Sequence, residues 1–173
     1  MTVRTEHPIV TAVLDRHRDD LGDDLTTYRN HVLRCLNYHR ALLDTPLPDA
    51  AVLAWAVHDL GIWTAGTFDY LAPSAALAEE YAAEFAISDQ EAVLRMVLDH
   101  HRVRAVDDPI AESFRIADRI DVSGGLVRGG LPRAEVRAVV AALPYHGFHR
   151  FLAESAARWA LRHPLRPLPM LRW

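Results

Sequence analysis

A chain of 173 residues, half of them apolar and 24% charged, with a formal net charge of -4, is long enough for one domain with a sizeable core. The charge balance, with no basic block, disfavours a general nucleic-acid binder, and no apolar run approaches the roughly 20 residues of a membrane span. The single cysteine, Cys35, excludes an internal disulfide, and together with the polar N-terminus MTVRTEHP it is compatible with a cytoplasmic location.

Taken in order, Pro8 to Asp19 predicts a short first helix with Ile9, Val10, Val13 and Leu14 on its apolar side. Leu21-Gly22-Asp23-Asp24 is a break. A longer helix follows from about Leu25 to Leu43, its Tyr28, His31, Val32, Cys35, Leu36, Tyr38, His39 and Leu42 spaced by threes and fours. After Thr45-Pro46-Leu47-Pro48, Asp49 is suited to cap a helix over Ala50 to Leu60, and Gly61 to stop it. The aromatic and hydroxyl-rich stretch from Ile62 to Pro73 is not periodic and predicts an irregular loop. Helix resumes over Ser74 to Phe85 with Pro73 near its first turn. Ser88 to Glu91 has capping-box spacing and opens a helix reaching His100 or His101. Asp107-Asp108-Pro109 starts another to about Val122, stopped by Ser123-Gly124-Gly125. Leu131-Pro132 opens a helix to Leu143, and Phe148 to Leu161 is the last. The tail, with Pro164, Pro167 and Pro169, cannot be regular helix; it is expected to lie extended with its leucines and Trp173 docked. The expected fold class is all-α, a single helical domain of seven or eight helices.

Within that frame a few polar groups stand out. His58 and Asp59 sit side by side at the end of an apolar run, where such groups are costly to bury unless paired or bound to metal. His31 lies on the long helix, His100 and His101 end a later one, and Asp118 directly follows apolar residues on another, where Phe114, Ala117 and Asp121 share its broad face. Imidazoles with carboxylates make a mixed N/O set that suits Zn, Fe, Ni, Co or Mn.

The order His31, then His58-Asp59, then Asp118 resembles the HD superfamily of metal-dependent phosphohydrolases. The local text that carries the resemblance is Tyr28-Arg29-Asn30-His31, Ala56-Val57-His58-Asp59-Leu60-Gly61 and Ile116-Ala117-Asp118-Arg119-Ile120-Asp121. It covers about residues 25 to 122, leaving residues 132–162 and the Pro/Leu tail as a C-terminal extension of the same domain. The resemblance implies a helical bundle with His31, His58, Asp59 and Asp118 as metal ligands. It also implies hydrolysis of a small phosphate mono- or diester, such as a nucleotide, by metal-activated water.

Binuclear branches of the family usually carry a further histidine in the helix after the His-Asp pair. Residues 74–85 contain none, and nothing in the spacing demands Glu79, Glu80 or Glu84 in its place. One divalent ion is therefore expected, with His100 and His101 beside it. Asp59, His100 and His101 are the candidate acid–base groups. Asp121, one turn after Asp118, is assigned a hydrogen bond to a ligand histidine.

Arg34, Arg102 and Arg119 are candidates to hold a phosphate. Thr64, Thr67 and Tyr70 of the loop are candidate substrate contacts. His7, His17, His146, His149 and His163 read as surface or packing residues, and Trp55 and Trp159 as core. The expected partner is a small, anionic substrate, with no nucleic-acid polymer and no membrane. The proline–leucine tail is a candidate surface for a second copy of the chain. A metal-dependent hydratase or hydrolase of a small neutral C–N compound is the alternative, motivated by the aromatic and threonine-rich loop. A non-catalytic metal-bound interaction domain is a third reading.

Overall fold

The long helix α3 (Leu25–Leu43) is the axis of the fold, and every residue from Asn30 to His39 is buried. Residues 2–172 are described here in a computed structural model; Trp173 lies outside them. Around α3 stand α1 (Pro8–Arg16), α4 (Asp49–Val57), α6 (Leu71–Glu84), α7 (Gln90–Asp99), α8 (Pro109–Val122), α9 (Arg133–Ala142) and α10 (Phe148–Arg162). Two single turns, α2 (Arg18–Leu21) and α5 (Gly61–Thr64), complete the set. Eight helices of nine residues or more form an all-helical bundle, and no sheet is present among the described residues.

A helix buried on nearly all sides must satisfy its polar side chains internally. Those of α3 do so by holding other segments in place. Asn37 donates to the Arg4 and Leu33 carbonyls and accepts from the Arg4 amide. Asn30 donates to the Pro144 carbonyl and Thr27 to that of His146. The polar positions of α3 therefore fix the N-terminal segment on one side and the α9–α10 turn on the other. The apolar positions pack against α4 and α8, where the Trp55 and Phe114 rings stack 3.5 Å apart. Helix α4 is apolar all round, so it is enclosed from Ala50 to Val57. Its end at His58 thus lies inside the bundle.

Several boundaries differ from expectation. The first helix ends at Arg16, and the expected break at 21–24 is a turn of 3-10 helix. Asp49 is the first residue of α4 and Pro48 precedes it as cap. Gly61 does not stop α4, which ends at Val57; it begins α5. The reason for glycine is close approach. A Cβ at Gly61 would lie 2.7 Å from the Tyr70 carbonyl oxygen and 2.9 Å from the Ser74 nitrogen. Its amide donates to Ser74 Oγ at 3.0 Å, so the turn after His58-Asp59 is pinned to the start of α6. Helix α6 begins at Leu71, slightly before the expected Ser74. The start of α8 is as expected, with Asp108 accepting from the Ile110 and Ala111 amides.

The tail runs without regular structure to a backbone bond from the Val103 amide to the Arg172 carbonyl at 2.8 Å. Its leucines are not what docks. Leu165 is wholly exposed, Leu168 and Leu171 nearly half so, and Met170 is buried beside Ile62, Phe68, Tyr70 and Leu71. No helix among the described residues is long and apolar enough to cross a membrane.

Candidate metal centre

Four elements bring their polar groups to one point. α3 supplies His31, the turn after α4 supplies His58 and Asp59, α8 supplies Asp118, and the end of α7 supplies His100. His31 Nε2 lies 3.0 Å from His58 Nε2, 3.6 Å from Asp59 Oδ2 and 3.8 Å from Asp118 Oδ1. His58 Nε2 lies 3.4 Å from Asp59 Oδ2 and 4.0 Å from Asp118 Oδ1. Donors about 2.1 Å from a shared ion sit roughly 3.0 to 4.2 Å from one another, so these spacings suit one ion.

The proton positions agree with the spacing. His31 Nδ1 is 2.8 Å from Asp121 Oδ2, His58 Nδ1 is 2.9 Å from the Trp55 carbonyl, and His100 Nδ1 is 2.7 Å from the Val97 carbonyl. Each acceptor calls for the proton on Nδ1, which leaves a lone pair on each Nε2. All three Nε2 atoms face the cluster. Two lone pairs 3.0 Å apart repel unless a cation or a proton stands between them. Asp59 Oδ1, Asp118 Oδ1 and His100 Nε2 are also buried with no hydrogen-bond partner. Unpartnered buried acceptors cost free energy unless something fills the gap. A divalent cation between His31, His58, Asp59 Oδ2 and Asp118 Oδ1 removes the repulsion and partners Asp118, while Asp59 Oδ1 and His100 Nε2, 3.4 Å apart, can share a proton; the residues present fit the metal.

The electrostatics follow from burial and crowding. Burial holds His58 down, at about 3, and pushes Asp118 up to about 6. Asp59 is buried too, but the histidines around it, His58 first, hold its carboxyl well below the usual range. Burial works against charge on His31 and His100. Cys35 and Asp121 nonetheless carry His31 above the ordinary imidazole value, and Asp59 does so for His100. Burial, then its neighbour His100, pushes His101 well below that value.

Behind His31 stands a second layer. Arg34 Nε donates to Asp121 Oδ1 at 2.6 Å and Nη2 to Oδ2 at 2.8 Å, a two-point clamp on the carboxylate that receives His31 Nδ1. Arg34 also donates to the Leu143 and Pro144 carbonyls. The Phe148 ring stacks on His31 at 4.2 Å. Asp121 thus occupies the outer position expected of it. Arg34, expected to hold a phosphate, is enclosed and spent on Asp121; a guanidinium one turn from His31 on a buried helix cannot reach past it. The stacking of Phe148 had no signal in the sequence, because nothing local links it to His31.

The other expected contacts divide. Tyr70 Oη lies 2.6 Å from His101 Nε2, and His101 Nδ1 lies 3.9 Å from Asp118 Oδ2, so this pair borders the cluster. His101 is its most open member, with 20% of its side chain exposed. Thr64 bonds back to the Leu60 carbonyl, and Thr67 Oγ1 accepts from the Asp69 amide; both serve the loop. Arg119 donates to the Arg102 carbonyl at 2.6 Å, and the Arg102 guanidinium lies 3.7 Å from Asp99. These two arginines hold the segment after His101 in place.

No family model, curated protein or solved structure matches this chain. The site itself gives the comparison. A helical bundle whose buried cluster is His31, His58-Asp59 and Asp118, with His100, His101 and Asp121 around it, has a recognisable order. It matches the HD-superfamily pattern. The donors are a histidine, a His-Asp pair and a later aspartate, a mixed nitrogen and oxygen set that suits a divalent ion. The cluster here is positioned to coordinate a single such ion, and it supports a metal-dependent hydrolase active site.

Proposed function

We propose that the protein hydrolyses a small phosphate mono- or diester, with His31, His58, Asp59 and Asp118 holding the metal. The observation that supports this is the set of four buried donors spaced for one ion, with three Nε2 lone pairs aimed at the cluster. A divalent ion held there would polarise a phosphoryl oxygen and make water acidic enough to act as nucleophile near neutral pH.

The chain's own groups divide the remaining work. Asp59 Oδ2 faces His31 and His58, while Oδ1 lies 3.4 Å from His100 Nε2. One carboxylate can therefore serve the ion with one oxygen and pass a proton from the other to His100. The Val97 carbonyl keeps His100 Nδ1 protonated, so Nε2 is the basic atom. His101, the most open member of the cluster, would contact the substrate, and the buried Tyr70, 2.6 Å from its Nε2, would supply the proton handed on to the leaving oxygen.

The test is activity of metal-reconstituted protein on a panel of phosphate mono- and diesters, beside His58→Ala and Asp118→Ala. Hydrolysis of at least one member, lost in both variants, is expected. Inactivity across the panel in a sample carrying stoichiometric metal would sink the phosphate reading.

One observation favours a second reading. The guanidiniums of Arg34, Arg102 and Arg119 are each engaged elsewhere. The ion would then be the principal positive charge at the reacting atoms, which also suits hydration or hydrolysis of a small neutral C–N compound.

A further inference from the structure

Between the loop 62–68 and α10 lies a groove of about 340 Å³ that none of the metal donors lines. That volume falls within the range of small-molecule sites. Its walls include Trp63, Phe68, Phe151 and Trp159. Trp63 and Phe151 stack 4.9 Å apart, and Trp159 stacks on His163 at 3.8 Å, so the aromatic surface is held in place. Both indole N–H groups are already used, Trp63 on Asp24 Oδ2 at 3.0 Å and Trp159 on the Arg166 carbonyl at 2.9 Å. The tryptophans therefore offer apolar faces and edges rather than donors.

The unused donors come from Arg158 and Arg162, one helical turn apart on α10 and both lining the groove. Arg158 Nε reaches only the Glu154 carbonyl, and neither guanidinium pairs with a carboxylate among the described residues. Like charges at this spacing repel along a helix. The chain carries net charge -4, yet α10 and the tail hold Arg150, Arg158, Arg162, Arg166 and Arg172 against Glu154 alone. The one carboxylate lining the groove, Asp24, receives the Trp63 indole. A positive field over aromatic walls suits a ligand with both halves.

We propose that this groove binds an organic anion with a planar apolar body, its ring on the aromatic wall and its carboxylate, sulfonate or phosphate on the Arg158 and Arg162 forks. The site is separate from the metal centre, and its occupancy does not depend on metal.

The probe is naphthalene-2-sulfonate, titrated by calorimetry into the metal-loaded full chain. Naphthalene-2-methanol carries the ring without the charge, and methanesulfonate the charge without the ring. Saturable binding of the full probe is expected, with each half-probe about tenfold weaker or worse. Arg158→Gln/Arg162→Gln, on an exposed helix face, should weaken the full probe about tenfold while leaving bound metal unchanged. Trp159→Leu should weaken it as well. His58→Ala, which removes a metal ligand, should bind the probe as the parent does; loss there would place the probe at the metal centre and overturn the proposal. Equal binding by the neutral probe, full affinity in the double arginine variant, or no saturable binding would each overturn it too.

Discussion

Asp121 sits where two demands meet, and the two can be separated. Its carboxylate is clamped by Arg34 at 2.6 and 2.8 Å and receives His31 Nδ1 at 2.8 Å, all fully buried. Asp121→Asn strands the Arg34 charge, and breaking a buried pair by removing one partner costs about 3–5 kcal/mol. Arg34→Met leaves the carboxylate with His31 alone and unpairs the Leu143 carbonyl, while Pro144 keeps its bond from Asn30, for about 3 kcal/mol. Together they remove both charges, so the double variant should cost no more than the worse single. That is a coupling of at least about 3 kcal/mol. Metal affinity should behave differently. Losing the carboxylate that orients a ligand histidine costs roughly 10- to 100-fold, and Arg34→Met cannot restore it. Urea unfolding of metal-stripped protein gives the stability cycle free of metal linkage, and competition with a chromophoric chelator gives affinity. Additive stability losses would refute the clamp, and parent-like affinity in Asp121→Asn would refute the orienting role.

Three further expectations follow from the same structure. His58→Ala and Asp118→Ala should each reduce bound metal from one ion per chain to a small fraction, measured by elemental analysis after gel filtration. Gly61→Ala drives a Cβ to 2.7 Å from the Tyr70 carbonyl oxygen and should cost roughly 1–3 kcal/mol by denaturant titration; no loss would mean that the turn is not constrained there. His39 is pushed down by burial to about 3 from an ordinary 6.5, and its Nδ1 accepts from Trp55 Nε1 at 3.0 Å. The unfolded chain therefore takes up the proton first. His39's contribution to stability is complete above about pH 6.5 and is lost at up to about 1.4 kcal/mol per pH unit as pH falls towards 3. Between pH 6.5 and 5 the parent should lose about 2 kcal/mol more than His39→Gln, which keeps the acceptor without titrating; parallel losses would remove His39 as the cause.

What the sequence made legible was whatever local periodicity or chemical order encodes. Helix α3 was readable because its apolar residues recur at threes and fours, and the start of α8 because Asp108-Pro109 caps it. The metal set was readable because a histidine, a His-Asp pair and an aspartate recur in a known order. Gly61 was misread because a glycine at a helix end has two explanations, backbone freedom and close approach, and only the packing of Ser74 and Tyr70 distinguishes them. The tail was misread because proline-spaced leucines look dockable, whereas Met170, with its unbranched side chain, fills the gap beside Tyr70 and Ile62.

The arginines give the sharper lesson, and it bears on the substrate. An arginine near a ligand in sequence is equally able to hold a substrate anion or to hold the protein. Burial decides, since an enclosed guanidinium needs a fixed acceptor at all times, while a substrate is present only part of the time. Arg34 is enclosed and has Asp121. Arg115 and Arg119 instead converge on the Arg102 carbonyl, at 3.1 and 2.6 Å, and so brace the segment that follows His101. The positive charge spent there is charge withheld from a bound phosphate. On the phosphate reading proposed above, recognition would rest on the ion, His101 and Tyr70 more than on arginine. Affinity for an inorganic phosphate product should accordingly fall with metal removal far more than with Arg102→Gln or Arg119→Gln. The opposite order in a binding titration would return those arginines to the site.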